Sequence, residues 1–176
     1  MKLFGPLARA GAVAGIAIAS IMAPAPAFAG PAELALLETY IGDWRGRGQL
    51  QGASSETVVC RLGITKGNQA RVNYAGRCAI AGNNLSVRGT MAYNDSARRF
   101  EAAMTTNAGF SPAPAIGRKN GDGILFSLRE RGEDEAGNDM TIAASMDFRP
   151  TTIIVNIDVT FNESGDKLRA SVPFTK

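Results

Sequence analysis

Apolar and polar residues alternate with a period of two along most of the chain, which is typical of β-strands that bury one face. The clearest stretch is 153–161, where Ile, Val and Phe at odd positions alternate with Asn156, Asp158 and Thr160. The same alternation, interrupted by turn residues, recurs over 57–64, 72–80, 85–93, 100–106, 124–128, 142–148 and 168–174. With the strand that begins near Trp44, the pattern predicts eight or nine strands, and a further one around 113–118.

One segment has helical spacing instead. Leu34, Leu37 and Ile41 recur on one face of a helix, and the segment begins at Pro31 and is followed by Gly42. Proline is favourable in the first turn of a helix, and glycine often follows the last one. The pattern predicts a short helix over 31–40, whose single apolar stripe packs on one end of the structure formed by the strands.

The connections between the predicted strands have hairpin length, and no helical segment interrupts them. A single open sheet of this size would leave unpaired edges and an uncovered apolar face, and closure into a barrel removes both. We therefore predict an all-β fold, an antiparallel up-and-down β-barrel of about 8–10 strands preceded by a short N-terminal helix. A two-sheet sandwich is the alternative.

Residues 1–29 have the features of a bacterial-type secretory signal. Lys2 and Arg9 precede an apolar run over 10–22, and the stretch ends in the small-x-small sequence Ala27-Phe28-Ala29. This pattern predicts cleavage after Ala29 and a single β-barrel domain over 30–176, in the periplasm or secreted. An uncleaved membrane anchor is the alternative, but the apolar run is shorter than the ~20 residues that span a bilayer, so no stable membrane span is expected after cleavage.

The two cysteines of the chain, Cys60 and Cys78, point to the same face of neighbouring predicted strands. If residue 60 lies opposite 78, then 62 lies opposite 76 and 64 opposite 74, so a disulfide agrees with the hydrophobic register. In an exported chain two cysteines are most simply a disulfide. Two free buried thiols are the alternative.

Charge excludes one class of partner. The whole chain has 19 basic and 16 acidic residues, but two of the basic residues, Lys2 and Arg9, belong to the predicted signal. The remaining chain is almost neutral, so we do not expect it to bind nucleic acid.

The chain contains no histidine, which excludes several kinds of active site. It lacks a Ser-His-Asp or Cys-His pair, an imidazole base and a histidine-rich zinc site. The acidic residues over 133–139 match no calcium-binding pattern and are interpreted as a solvated turn. We expect a protein that is not an enzyme and has no catalytic residues, metal site or cofactor.

Gly42-Asp43-Trp44 resembles the Gly-x-Trp signature that opens the first strand in lipocalins and related calycin barrels. The run over 42–48 is also similar to the corresponding segment of nitrobindin-type haem-binding barrels. The resemblance implies a calycin-like β-barrel in which a basic residue of the last strand, here Arg169, stacks on Trp44. Nitrobindin-like barrels hold haem iron through a histidine that this chain lacks, so haem binding is only a distant alternative.

The inward-facing set is apolar and mixes small residues with large ones. Small barrels have a core filled by side chains, whereas larger barrels of this kind enclose a cavity for one apolar ligand. The small inward residues favour a cavity here, and we predict that this barrel binds a small hydrophobic molecule such as a lipid, fatty acid or pigment; a filled core is the alternative. The segment 109–119 is either a lid or an edge strand, and Arg118 and Lys119 are expected at the mouth of the cavity. The predicted ligand-binding residues are Trp44, Met104, Phe110, Phe126, Phe148 and Ile157.

A function of another class is also compatible with the sequence. Small disulfide-linked periplasmic barrels that resemble inhibitors of proteases or lysozyme plug a target enzyme with a loop or an N-terminal segment. A protein-binding module of this kind is therefore the alternative to a ligand carrier.

Overall fold

The computed structural model describes residues 30–80, 82–107, 113–134 and 136–176. The helix α1 (Gly30–Glu38) is followed by ten strands, and none of the described helices is long and apolar enough to cross a membrane. The predicted signal over 1–29 lies outside the described residues. The strands are β1 (Gly42–Gln51), β2 (Ser55–Lys66), β3 (Arg71–Ile80), β4 (Asn83–Asn94), β5 (Arg99–Thr106), β6 (Ala115–Asn120), β7 (Gly123–Glu133), β8 (Asp139–Phe148), β9 (Thr152–Phe161) and β10 (Lys167–Thr175).

Every strand pairs antiparallel with its neighbours in sequence, and β1 also pairs with β10, so the sheet closes into a ten-stranded barrel. The predicted barrel with its preceding helix is confirmed, and the sandwich alternative is wrong. The additional strand predicted around 113–118 is β6, which pairs with β5 on one side and β7 on the other. It is therefore a full member of the wall and not an edge strand.

The predicted disulfide and its register are both confirmed. Cys60 and Cys78 are bonded and lie directly opposite each other on β2 and β3. Leu62 lies opposite Gly76, and Ile64 lies opposite Tyr74. The covalent link and the apolar alternation thus specify the same pairing of the two strands.

Glycine makes the closure between β1 and β10 tight. A methyl group at Gly48 would overlap the carbonyl oxygen of Ser171 in β10. At Gly46 it would lie 2.7 Å from the side chain of Val172 and 2.8 Å from that of Phe174. The two missing side chains therefore let the first and last strands approach closely enough to close the barrel.

The end of the barrel where β1 begins, which we call the closed end, is filled by aromatic rings and the helix. Leu37 of α1 and Tyr40 just after it are fully buried, which confirms that the helix packs on a barrel end. The Tyr40 ring lies 5.1 Å from that of Phe148 in edge-to-face geometry, and Phe148 lies 5.5 Å from Phe126. Phe100 continues the cluster at 6.4 Å from Phe126.

Trp44 connects this cluster to both termini of the described domain. Its indole Nε1–H donates to the carbonyl oxygen of Tyr40 at 2.9 Å. The Nζ of Lys176 lies 4.9 Å from the centroid of the Trp44 ring and also donates to the carbonyl of Thr39 at 3.2 Å. The basic residue that covers the tryptophan is therefore Lys176.

The expectation that Arg169 stacks on Trp44 is wrong. Arg169 lies opposite Gln51, at the other end of β1, and its guanidinium pairs with Asp158 at 2.8 Å. Because β10 runs antiparallel to β1, only the last residues of β10 come close to the beginning of β1. Lys176 follows that strand end directly and reaches the ring.

Candidate functional site in the open half of the barrel

At the opposite end, where β1 ends, many inward side chains are only half-buried, although Val58, Met140 and Ile142 are buried there. We call this part of the interior the open half. These half-buried side chains have the same parity as the buried core residues and therefore face the interior of the barrel. They come from opposite walls: Val87 and Met104 from β4 and β5, and Leu128, Ala144, Ile157 and Ala170 from β7 to β10.

Small residues account for part of the space in this half. Ala144, Ile157 and Ala170 lie directly opposite one another on β8, β9 and β10, so two of the three wall positions carry only a methyl group. On the other wall a glycine, Gly89, is covered by the ring of Tyr74, whose hydroxyl donates to the carbonyl of Ala103 at 3.1 Å. Small inward side chains therefore lie on β8 and β10.

Two carboxylates face inward near the open end. Glu56 lies on the same face of β2 as Val58 and Cys60, and Glu130 on the same face of β7 as Phe126 and Leu128. Both are half-buried. The Oε2 atom of Glu56 is buried without a hydrogen-bond partner among the described residues. The interior therefore combines apolar walls with acceptor groups near its opening.

The connection between β5 and β6 is anchored on both sides of its undescribed part. The side chain of Asn107 accepts a hydrogen bond from Ser86 N at 2.7 Å and donates one to the carbonyl of Asn84 at 2.9 Å. The amide of Ala113 donates to Glu130 Oε1 at 3.0 Å. Of the segment 109–119, predicted as a lid or an edge strand, residues 115–119 belong to β6 in the barrel wall and do not form a lid.

The predicted ligand-binding residues fall into two groups. Trp44, Phe126 and Phe148 are buried in the aromatic cluster of the closed end and form the floor beneath the open half. Met104 and Ile157 are half-buried in the open half itself, and Phe110 lies outside the described residues. Their role in binding stays a prediction.

Arg118 and Lys119 do not lie at the mouth. They are exposed on the last part of β6, immediately before the turn to β7 at the closed end. The sequence interpretation placed them next to the lid because they follow it in sequence. The antiparallel course of β6 carries them to the other end of the barrel.

Glu56 and Glu130 were missed by the sequence interpretation. Alternation alone could have found both, because Glu130 continues the inward set of Ile124, Phe126 and Leu128. Glu56 precedes Val58 and Cys60 in the same way. Both were overlooked because the inward set was treated as apolar throughout.

In the acidic turn between β7 and β8, the carboxylate of Asp134 accepts hydrogen bonds from other residues of the same turn. Oδ1 of Asp134 accepts the backbone N–H groups of Ala136 and Asn138 at 2.9 and 2.8 Å, and Oδ2 accepts the Asn138 amide at 2.8 Å. Hydrogen bonds from Asn138 are the main reason that the pKa of Asp134 is lowered. Hydrogen bonds within the turn thus account for the position of the Asp134 carboxylate, in agreement with the interpretation of this segment as a turn.

Alkaline pH should destabilise the barrel through Tyr40. Burial, with a further contribution from Asp122, raises the pKa of Tyr40 from 10.0 to about 12. The unfolded state therefore loses this proton at a lower pH than the folded state, and the free energy of unfolding should fall as the pH rises between 10 and 12.

Denaturant unfolding across this pH range measures the effect, and Tyr40→Phe is the control because it removes the titrating group and keeps the ring. The variant should lose less stability between these pH values than the wild type. An equally steep fall in both proteins would show that Tyr40 does not contribute.

The sequence matches no protein-family model and no curated protein. The solved structures that are similar in fold include the following two. The crystal structure of Rv2717c from M. tuberculosis matches with a TM-score of 0.59 and 15% identity, over 79% of this chain and 94% of that chain. An S-type phycobiliprotein lyase, CPES from Guillardia theta, matches with a TM-score of 0.52 and 11% identity, over 81% and 90%.

These likenesses agree with the closed, antiparallel ten-stranded β-barrel that this chain forms. The resemblance stated for the Gly42-Asp43-Trp44 segment stays a prediction, because no family model matches the chain. At these identities the likeness extends to the fold alone, so the function has to be argued from the interior of this barrel.

Proposed function

We propose that this protein binds a small apolar molecule in the open half of the barrel. The observation that carries the proposal is the set of apolar, inward-facing side chains above the aromatic floor that are only half-buried. Apolar surface exposed to water in a concave interior gains free energy when a ligand covers it, at roughly 25 cal/mol per Å². Ligand sites of small molecules are commonly concave and apolar with a few polar groups.

The polar groups near the opening suggest which end of a ligand is held there. Glu56 and Glu130 supply hydrogen-bond acceptors, and none of the described inward-facing residues of the open half is basic. A buried carboxylate oxygen without a donor is unfavourable, and a donor from a ligand would remove that cost. We therefore favour an apolar molecule with a hydroxyl, amine or amide end over a fatty acid.

We further propose that the protein is a binding protein rather than an enzyme, and that it is exported with residues 1–29 removed as a signal. The described inner face supports binding because its residues are mainly apolar, and its two acids come from strands on different sides of the barrel. The disulfide between Cys60 and Cys78 supports export, since such bonds persist in oxidising compartments.

A pair of alanines on β8 offers a matched test of this proposal. Ala144 faces the open half between Leu128 and Ile157, and Ala143, its neighbour in sequence, faces outward. Ala144→Phe should fill the space and weaken binding of an apolar fluorescent probe, N-phenyl-1-naphthylamine, by at least tenfold. Ala143→Phe should bind the probe as the wild type does.

Fluorescence titration gives the affinity of each protein for the probe. Competition with the probe then compares ligands that have the same chain and different polar end groups. Long-chain alcohols and amines should displace the probe at lower concentrations than the carboxylic acid of the same length. Circular dichroism and a thermal melt establish that both variants are folded. Equal binding by a folded Ala144→Phe protein and the wild type would place the ligand elsewhere and contradict the proposal.

A further inference from the structure

Three arginines form a row across the outer surface of β1, β2 and β3. Arg45 lies directly opposite Arg61, and Arg61 lies directly opposite Arg77. All three side chains are exposed. Neighbouring strands lie about 4.8 Å apart, so the three cationic side chains start at that spacing. We call this row the arginine ladder.

The arginine ladder is expected to lower the stability of the isolated protein. Like charges directly opposite on neighbouring strands destabilise a sheet. No acidic side chain of the described residues forms an ion pair with Arg45, Arg61 or Arg77, whereas Arg131, Arg149 and Arg169 on the other wall are paired with aspartates. Nothing in the described part of the fold explains why three cations are stacked here, which points to a role outside the fold.

The surroundings extend the positive surface. The ladder lines a groove of about 570 Å³ together with Asp43 and Arg88, which lie on the next row of the sheet. Between Asp43 and Arg88 this row holds only Gly63 and Ala75, so no bulky side chain stands beside the ladder there. Over residues 42–94 the chain has seven basic residues and only two acidic ones, of which Glu56 faces inward. Asp43 is thus the sole acid on the outer face of these four strands.

The row on the other side of the ladder adds apolar surface beside the charges. Val59 is 47% exposed and lies between Arg47 and Ala79 on the neighbouring strands. Exposed apolar groups among arginines fit the boundary between the headgroups and acyl chains of a bilayer. A basic and apolar surface of this composition is typical of proteins that lie on anionic membranes.

Other anionic partners fit less well. A small anion is usually held by convergent donors in a closed site, and every arginine here is exposed. Single-stranded nucleic acid is bound through bases stacked on aromatic rings, and the outward-facing residues of β1 to β4 include no aromatic side chain. The surface of an anionic membrane presents many phosphate groups side by side, and such an array matches the extended row of guanidinium groups in the arginine ladder.

We propose that the arginine ladder docks the barrel on the surface of a membrane that contains anionic phospholipids. The guanidinium groups of Arg45, Arg61 and Arg77 donate hydrogen bonds to lipid phosphates, and Arg88 contacts the same surface from the adjacent row. Guanidinium groups bind phosphate oxygens with two parallel hydrogen bonds. This inference is independent of what the interior binds.

Vesicle sedimentation tests the proposal on residues 30–176. The wild type should bind vesicles of equal parts phosphatidylglycerol and phosphatidylcholine, more weakly at high salt, and should not bind pure phosphatidylcholine. Each basic residue contributes about a fivefold gain in affinity for an anionic surface. The triple variant Arg45→Gln, Arg61→Gln and Arg77→Gln should therefore bind on the order of 100-fold more weakly.

A control variant removes the same charge elsewhere: Arg98→Gln, Arg118→Gln and Arg129→Gln, three exposed arginines on other parts of the surface. It should keep most of the affinity. The ladder variant should be folded and at least as stable as the wild type, because it loses a repulsion.

Three results would overturn the proposal. The first is wild-type protein that does not sediment with the anionic vesicles, and the second is an equal loss of affinity in the control and ladder variants. The third is tight, ladder-dependent binding of inorganic polyphosphate by a protein that does not bind the vesicles, which would assign the ladder to a soluble anion.

Discussion

Replacing Trp44 with alanine should lower the free energy of unfolding by about 3–5 kcal/mol, the range typical of large-to-small changes at buried aromatic residues. The side chain is 1% exposed, and its loss would leave a cavity beside the aromatic cluster of the closed end. The substitution also removes the hydrogen bond from the indole to the Tyr40 carbonyl, which holds the end of α1 against β1. Both effects act on the same end of the barrel.

Denaturant unfolding of the variant and the wild type measures the loss. Lys176→Met serves as the control, because it removes only the cation above the ring and the contact with the Thr39 carbonyl. An exposed cation–π contact contributes about 0.5–1 kcal/mol, so this variant should be destabilised by about that amount. If Trp44→Ala and Lys176→Met lost equal stability, the ring would not be the central element of the closed end.

Removing the disulfide should lower the free energy of unfolding by about 3 kcal/mol. The bond joins residues separated by 18 positions, and a loop of this size restricts the unfolded chain by roughly that free energy. Cys60 is 2% exposed, so its replacement with alanine also removes a packed sulfur from the interior. The double variant Cys60→Ala and Cys78→Ala keeps the register, which the apolar alternation of β2 and β3 specifies independently.

Unfolding of the oxidised wild type, of the reduced wild type and of the double variant separates these contributions. The reduced protein should lose most of the stability that the double variant loses, and both should keep the circular dichroism spectrum of the barrel. Oxidised and reduced proteins that unfold at the same denaturant concentration would contradict the expected role of the bond.

Much of the fold could be predicted because its signals are local. The period of two is visible within each strand, and the hairpin-length connections make sequence neighbours pair in space. The pairing of Cys60 with Cys78 followed from alternation on two neighbouring strands, which required only that the register agree with the inward set. Closure was predicted from the physical cost of unpaired edges.

The difference between the two ends of the barrel could not be predicted in the same way. The inward residues of both halves have the same parity, and alternation does not show that the rings of Phe100, Phe126 and Phe148 form one cluster. This depends on the stagger of strands that are distant in sequence. The same reason explains the wrong expectation for Arg169, since the stagger of β10 against β1 places Lys176 on the ring instead.

The arginine ladder depends on register in a similar way. Arg45, Arg61 and Arg77 are 16 residues apart in each step, and this spacing suggests nothing until the hairpins are aligned. Once β2 is placed between β1 and β3, the three positions fall on one row. A surface site of this kind therefore becomes visible only in the assembled sheet.

Native mass spectrometry of the protein isolated from the cells that produce it tests the central claim, that the open half of the barrel holds a small apolar molecule. The account predicts extra mass that extraction with an organic solvent removes, and no such mass on the Ala144→Phe variant prepared in the same way. A folded wild-type protein with only its bare mass, before and after extraction, would contradict the account and favour a protein-binding module.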